Sequence, residues 1–277
     1  MDLADLETWS RNKDADVVFD ICLCGKWNSF CVGILAAPEH CFMIDWGDGT
    51  KYICQGEGEW RYFSYDYHEN ENVREYRVAI YADAGCEILG LDLTYTDVYE
   101  RYVSHLDTSR CLSLRELRLE EGPALDLSYN RHLKVLRCEL PLFDILDIGS
   151  NVELEELYIR GSGRNMKFLD VSGCPNLKAL TCQTMDIEHL YLERNTELEE
   201  LDVNGCYNLK SLDLSVCRKL RYLDCSGCTA LSEIKLPDPT VLEYVLYDDS
   251  GIIGRREDWF LKCLLKQKKT GYFPHEL

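Results

Sequence analysis

The sequence predicts a mainly β protein with few helices. A β-sandwich comes first, then a solenoid of 21–22-residue units built on a parallel sheet, then a C-terminal capping helix. Three observations predict this. Short runs of alternating apolar and polar residues, separated by turn formers, fill residues 16–90. From about residue 104 an apolar residue, almost always Leu, returns at most steps of 10 to 12 residues. Beyond residue 250 that recurrence stops and apolar residues take helical spacing. The division that follows is an extension (1–15), a sandwich (16–90), a solenoid (91–250) and a cap (251–277).

The sandwich rests on four runs: ADVVFDICLC (15–24), CFMIDWGDGTKYI (41–53), WRYFSYDY (60–67) and EYRVAIYA (75–82). Aromatic and β-branched residues alternate with polar ones, the pattern of strands with one buried face. The glycines of WGDGT supply a tight turn after a buried strand. CEILGLDLTY (86–95) carries the chain into the first repeat-like strand, and TDVYERYV (96–103) is expected as a short helix or an insertion at the join.

The solenoid rests on segments such as LDVNGCYNLKS (201–211), LDLSVCRKLRY (212–222) and LDCSGCTALSE (223–233), each 11 residues long. The leading apolar residue recurs at Leu106, Leu117, Leu125, Leu136, Leu146, Leu157, Leu169, Leu180, Leu190, Leu201, Leu212, Leu223 and Ile234. Two steps make one unit, L-x-x-L-x-[LCVI]-x-x-[NC], as in LKALTC (177–182), LEELDV (198–203) and LRYLDC (220–225). The L-x-L core alternates inward and outward as a short strand does. No unit buries its apolar face alone, so neighbours must stack. The turn position holds Cys111, Asn130, Asn151, Cys174, Asn195, Cys206, Cys217 and Cys228, a structural ladder; the intervening half-repeats show Gly122, Pro141, Ser162 and Met185. The expected task of the ladder is to replace sheet partners for turn amides, because buried backbone amides need partners. Cys138, Cys182 and Cys225 fall on inward core positions.

These segments resemble leucine-rich-repeat proteins, in particular the tandem LxxLDCSxNxLxxLDLSxNxxL type found in Bacteroidetes. Residues 220–233 and 209–217 carry that pattern with Cys at the ladder Asn, and the resemblance covers roughly 104–250. IDWGDGT, followed by Tyr65-x-Tyr67 and YRVAIYA, resembles a PKD-like sandwich, a module that in the same bacterial family often precedes the repeats. The resemblance implies a leucine-rich-repeat solenoid with a PKD-like shield over its first repeat. For a surface member it implies adhesion.

After residue 250, RREDWFLKCLLKQKK (255–269) places Trp259, Phe260, Cys263 and Leu264 at helical spacing. Its six basic and two acidic residues give a local charge of +4. It reads as a helix closing the last repeat, since solenoid ends need polar caps. The alternative is a basic amphipathic segment for a membrane surface or a partner.

Composition narrows the functional classes. The chain has 277 residues and a formal net charge of −19, from 49 Asp+Glu against 30 Lys+Arg. Residues 1–100 contribute −13 (7 basic, 20 acidic) and 101–277 contribute −6 (23 basic, 29 acidic). Such acidity argues against nucleic-acid binding, which needs cations to displace counterions, and suits a basic partner. Fifteen cysteines, an odd number spread along the chain, read as reduced thiols. No run of 18 apolar residues predicts membrane insertion. The opening MDLADLETWSRNKDAD has no secretory pattern. The expected location is therefore cytoplasmic, or the cell surface if an export signal precedes residue 1.

No HExxH, GxSxG, P-loop or GxGxxG occurs, and the six histidines are scattered. An enzyme is not expected, and no cofactor or metal is assigned. Asp45 and Asp48 could hold calcium but read first as turn residues, and Cys22, Cys24, Cys31 and Cys41 match no standard metal spacing. The Cys225–Cys228 pair falls on core and ladder positions rather than on one accessible side.

A partner face remains. The outward positions flanking each inward core residue are Arg118/Glu120, Arg137/Glu139, Tyr158/Arg160, Thr181/Gln183, Asp202/Asn204, Asp224/Ser226 and Leu246/Asp248, with Tyr222 and Tyr244 adjacent. Tyr and Arg are common interface anchors. The opposite half-repeats repeat Asp126/Ser128, Asp170/Ser172 and Asp213/Ser215, a uniformity that reads as structural. The expected function is a non-enzymatic protein–protein interaction module using the sheet face, for adhesion or recognition. The alternative is an intracellular inhibitor or immunity-type protein that neutralises a basic enzyme or toxin. The partner, and the oligomeric state, are left open by the sequence.

Overall fold

The computed structural model describes residues 13–23, 29–67, 74–94, 101–141, 143–161, 166–237 and 241–252. Every regular element among them is a β-strand. The cap helix expected over 255–269 lies outside the described residues, as do Cys24 and residues 96–100 of the expected join. Residues 101–103 belong to a strand, which corrects the helical alternative there.

The first eight strands are β1 (Val17–Leu23), β2 (Ser29–Ala36), β3 (Cys41–Asp45), β4 (Lys51–Gln55), β5 (Trp60–Asp66), β6 (Arg74–Ala82), β7 (Ile88–Leu93) and β8 (Arg101–Asp107). Five of them form one antiparallel sheet in the order β4-β3-β6-β1-β8. The others do not close a second sheet of their own. β5, β2 and β7 continue into the repeats, where β7 pairs in parallel with β9 (Glu116–Glu120), Leu91 opposite Leu117. The independent sandwich expected over 16–90 is thereby corrected. The reason is the repeat pattern itself: CEILGLDL already carries the inward–outward phase of a repeat strand, so its free edge accepts the next one. The two sheets face each other through aromatic contacts, Phe19 to Phe30 at 5.9 Å and Phe42 to Phe63 at 5.8 Å.

WGDGT and Tyr65-x-Tyr67 come together in this region. Trp46 is fully buried and stacks on Tyr65 at 5.1 Å, and Tyr67 donates its hydroxyl to the Trp46 carbonyl at 2.8 Å. Asp45 accepts the Gly47 amide and Asp48 accepts the Thr50 amide, while the Tyr65 hydroxyl reaches Asp48 at 2.6 Å. These aspartates hold a turn. Gly47 sits at φ +84°, and a Cβ there would meet the Arg77 carbonyl oxygen at 2.5 Å, so the turn requires glycine.

Leu106 was expected to lead the first repeat. It instead lies on β8 and pairs with Phe19 of β1 in the five-stranded sheet. The chain makes one excursion back to the N-terminal sheet between β7 and β9, which an L-x-L spacing cannot reveal.

The repeats then run as parallel strands β9, β10 (Val135–Glu139), β11 (Glu156–Arg160), β13 (Ala179–Gln183), β15 (Glu200–Asp202), β17 (Tyr222–Asp224) and β19 (Tyr244–Leu246). On the return side, β12 (Phe168–Asp170) pairs with β14 (His189–Tyr191), and β16 (Ser211–Asp213) pairs with β18 (Glu233–Lys235). This is a leucine-rich-repeat-like solenoid. Leu117, Leu136, Leu157, Leu180, Leu201 and Leu223 form one buried cross-strand row. Each buried leucine contributes about 2 kcal/mol of apolar transfer. A single apolar core joins the two sheets and the solenoid.

Candidate functional site

The turns that end each half-repeat determine which side chains the sheet can present. Asn130 donates through Nδ2 to the Thr108 and Cys111 carbonyls, at 3.1 and 2.8 Å. Asn151 reaches Leu127 and Asn130, and Asn195 reaches Val171 and Cys174, with nearly identical lengths. Cysteines at equivalent turns donate one bond each: Cys111 to Ile88, Cys174 to Ile148, Cys206 to Cys182 and Cys228 to Val203. Cys217 is fully buried at the same turn position. The polarity is the reverse of the expected one, since the ladder feeds orphaned carbonyls and the turn amides bond locally, as Asn130 to Leu127 and Cys206 to Val203 show. Burial pushes the thiols of Cys111, Cys138, Cys174 and Cys225 up to about 12, which keeps them protonated and inert. An S–H donor is also what the ladder needs, and a disulfide would remove it.

On the return side, Asp126, Asp170 and Asp213 each accept the amide two residues on, and Asp126 and Asp213 also accept the serine hydroxyl. This side presents turn chemistry of one recurring kind.

The sheet face differs from repeat to repeat. Arg118, Arg137, Tyr158, Thr181, Asp202, Asp224 and Leu246 occupy one outward cross-strand row. Tyr222 and Tyr244 share the row beside it with Glu116, Val135, Glu156, Ala179 and Glu200. Arg160 and Gln183 extend the other side, and Asn204 follows its strand. A groove of about 990 Å³ brings Arg137, Tyr158, Arg160, Thr181, Gln183 and Asp202 together. Glu155, Lys178 and Glu199 also line it, in a column of charges that alternate in sign along the solenoid: Lys134 and Lys178 both bond Glu155, and further along Arg221 holds Glu243 through two bonds of 2.8 and 2.9 Å. The Lys178 bond, then the Lys134 bond, hold the Glu155 carboxyl below its usual range.

Asp202 and Asp224 are not free hands. Asp202 accepts the Asn204 amide at 2.9 Å and the Gln183 side chain at 2.6 Å, and Asp224 accepts the Ser226 amide at 2.8 Å. Both are almost fully buried, as is Tyr222.

The same row runs backward beyond Arg118, through Asp92 and Gly33 to Tyr62. A Cβ on Gly33 would sit 2.7 Å from the Tyr62 ring, and one on Gly90 would sit 2.7 Å from Trp60. Two aromatics therefore lie across two glycines. The Arg118 guanidinium packs over Trp60 at 4.9 Å. Asp92, buried beneath, accepts Tyr62 Oη at 3.1 Å and the Thr94 amide at 3.0 Å, with Arg118 at 3.5 Å. Sequence reasoning missed Trp60 and Tyr62 as part of the face. Their signal was present as glycines at 33 and 90 facing aromatics at 60 and 62, but it needs the strand order to be seen.

Cys22, Cys31 and Cys41 lie on β1, β2 and β3. Among the described residues no three His, Cys, Asp or Glu side chains converge in a way that could hold a metal, and no helix is long and apolar enough to cross a membrane.

No family model matches the chain, and no curated protein matches it. Among solved structures it is similar to the functional domain of InlJ from Listeria monocytogenes, which includes a cysteine ladder. The two are 18% identical with a TM-score of 0.36, over 57% of this chain and 48% of that one, so the chain spans about half the length of that structure.

Proposed function

We propose that this chain is a non-enzymatic protein-recognition module that receives its partner on the sheet face of the solenoid. The observation that carries this reading is the groove, where six outward side chains of different chemistry from four successive repeats line one surface. Repeat scaffolds bind through such surfaces because every unit adds side chains to them. The titratable groups there are spread in rows and do not converge on one reacting point, which supports recognition rather than catalysis. Trp60, Tyr62 and Arg118 add an aromatic and cationic anchor of the kind found at interface centres. Within the same proposal, the N-terminal strands are a PKD-like shield over the first repeat edge.

The test is affinity capture with the full chain and with Arg137→Glu/Tyr158→Ala. A specific partner should be retained by the first and lost, by at least tenfold in affinity, by the second. Retention by both places recognition elsewhere.

A further inference from the structure

Most charges that line the sheet-face groove are matched within it. Lys178 bonds Glu155 at 2.6 Å, and Arg137 lies 3.7 Å from Glu156. Glu199 sits between Lys178 and Arg221, its amide on the Lys178 carbonyl and its own carbonyl on the Arg221 amide. Two opposite corners remain. Arg160, at the end of β11, is exposed and forms no ion pair among the described residues. Glu200 opens β15 at the other corner. It lies in the field of Arg221, but that guanidinium already holds Glu243 through two bonds. Asp202, two residues on and 3% exposed, adds negative charge beside Glu200, and a charge so buried is screened little by salt. The groove is therefore cationic at one corner and anionic at the other.

Between the corners the floor is low. β13 turns Ala179 and Thr181 outward, both small, and its Gln183 is drawn onto Asp202 at 2.6 Å. The distance between the corners follows from the register. β13 separates β11 from β15, so Arg160 and Glu200 are two strand steps apart, about 10 Å. Arg160 pairs with Gln183 and Glu200 with Ala179, which sets them four residues apart along the strands, about 13 Å. The diagonal is about 16 Å, the length of roughly five residues of extended chain. A helix, about 10–12 Å across with its side chains, is too wide for a trough whose walls stand on strands about 10 Å apart.

We propose that the groove takes an extended polypeptide segment of the partner, laid diagonally across β11, β13 and β15, with an Asp or Glu over Arg160 and a Lys or Arg over Glu200. The two residues stand four or six positions apart, because alternate residues of an extended chain face the same way. The residue midway between them faces Thr181 and the half-buried Tyr158 ring. This ligand class rests on the sheet face being the recognition surface, and it adds the charge order that the partner must carry.

A displayed library of random dodecapeptides, selected on the full chain, is the probe. Enriched sequences are expected to carry an acidic and a basic residue at those spacings. Arg160→Glu should weaken them at least tenfold, and replacing the peptide's acidic residue by Lys should restore binding to that variant. Glu200→Lys should act likewise on the basic residue, with Glu in its place as the rescue. A misfolded variant would not give such reciprocal rescue. Enriched sequences without the charge pair, binding indifferent to either substitution, or no enrichment would each overturn the proposal. The captured partner separates this inference from the reading beneath it. A partner lost by Arg137→Glu/Tyr158→Ala, yet kept by Arg160→Glu and by Glu200→Lys, leaves sheet-face recognition standing and removes the charged segment. A partner kept by every variant removes both.

Discussion

The sheet is wide in its first four repeats and narrow in its last three. β9, β10, β11 and β13 are five residues long, while β15, β17 and β19 are three. The difference lies in the turn. Where Cys206 and Cys228 occupy the sheet-side turn, the chain leaves after Asp202 and Asp224 through Gly205 and Gly227, both at φ +71°. Where that turn position holds Gly122, Pro141 or Met185, the strand runs two residues further. It then exits through left-handed residues that are not glycine: Glu121 at +49°, Leu140 at +47° and Thr184 at +53°. The extension adds the outward positions Glu120, Glu139, Arg160 and Gln183. Ladder chemistry on the sheet side thus trades surface for closure. The groove lies mainly on the wide repeats and ends at Asp202 on the first narrow one, while Asp202 and Asp224, both buried, sit on the narrow repeats.

The largest expected effect tests the ladder that both halves share on the return side. Asn151→Ala removes two buried donors and leaves two carbonyls unpaired, at a cost of about 3 kcal/mol. Asn151→Cys should recover roughly half of that, because a thiol serves one carbonyl as Cys174 does. Urea unfolding of the three proteins measures both. If Cys proves equal to Ala, the thiols of the ladder are merely small fillers.

The two kinds of exit give opposite glycine effects. Gly205→Ala forces a Cβ into the left-handed region, 3.0 Å from Thr184 Cγ2, and should cost about 1–2 kcal/mol. Leu140→Gly relieves the same strain in a wide repeat, and its side chain is more than a third exposed, so the change should be neutral or stabilising by up to about 1 kcal/mol. Destabilisation by Leu140→Gly would show that the wide exits are not strained.

The smallest effect concerns pH. The Ser215 hydroxyl, then Lys235, lower Asp213 from 3.8 to about 2. A carboxylate depressed in the folded state contributes stability that is complete above its unfolded value and fades as pH falls through the folded one. Stability should therefore decline between about pH 4 and pH 2, and Asp213→Asn should flatten the decline. Because Asp213 is exposed, the slope is modest.

Much of this was legible in the sequence. The outward row from Arg118 to Leu246 follows from strand alternation alone, since one register slip would have buried every member. The ladder positions were also visible, but not the direction of their bonds, because a turn's orphaned carbonyls and amides look alike in a residue pattern. Strand width was hidden for a related reason: Met185 and Cys206 differ by one turn's chemistry, and the consequence appears two residues earlier. Leu106 misled because L-x-L spacing is shared by a repeat strand and by β8. The burial of Asp202 and Asp224 was not legible, because strand alternation sets which side a residue faces and not how exposed it is.

The most direct test of the sheet face as the recognition surface is hydroxyl-radical footprinting of the full chain, free and with its captured partner. Tyr62 and Tyr158 on the sheet side should lose reactivity on binding, while the exposed Tyr129, Tyr191 and Tyr207 keep theirs. Protection of Tyr129, Tyr191 or Tyr207 with Tyr158 unchanged would contradict it.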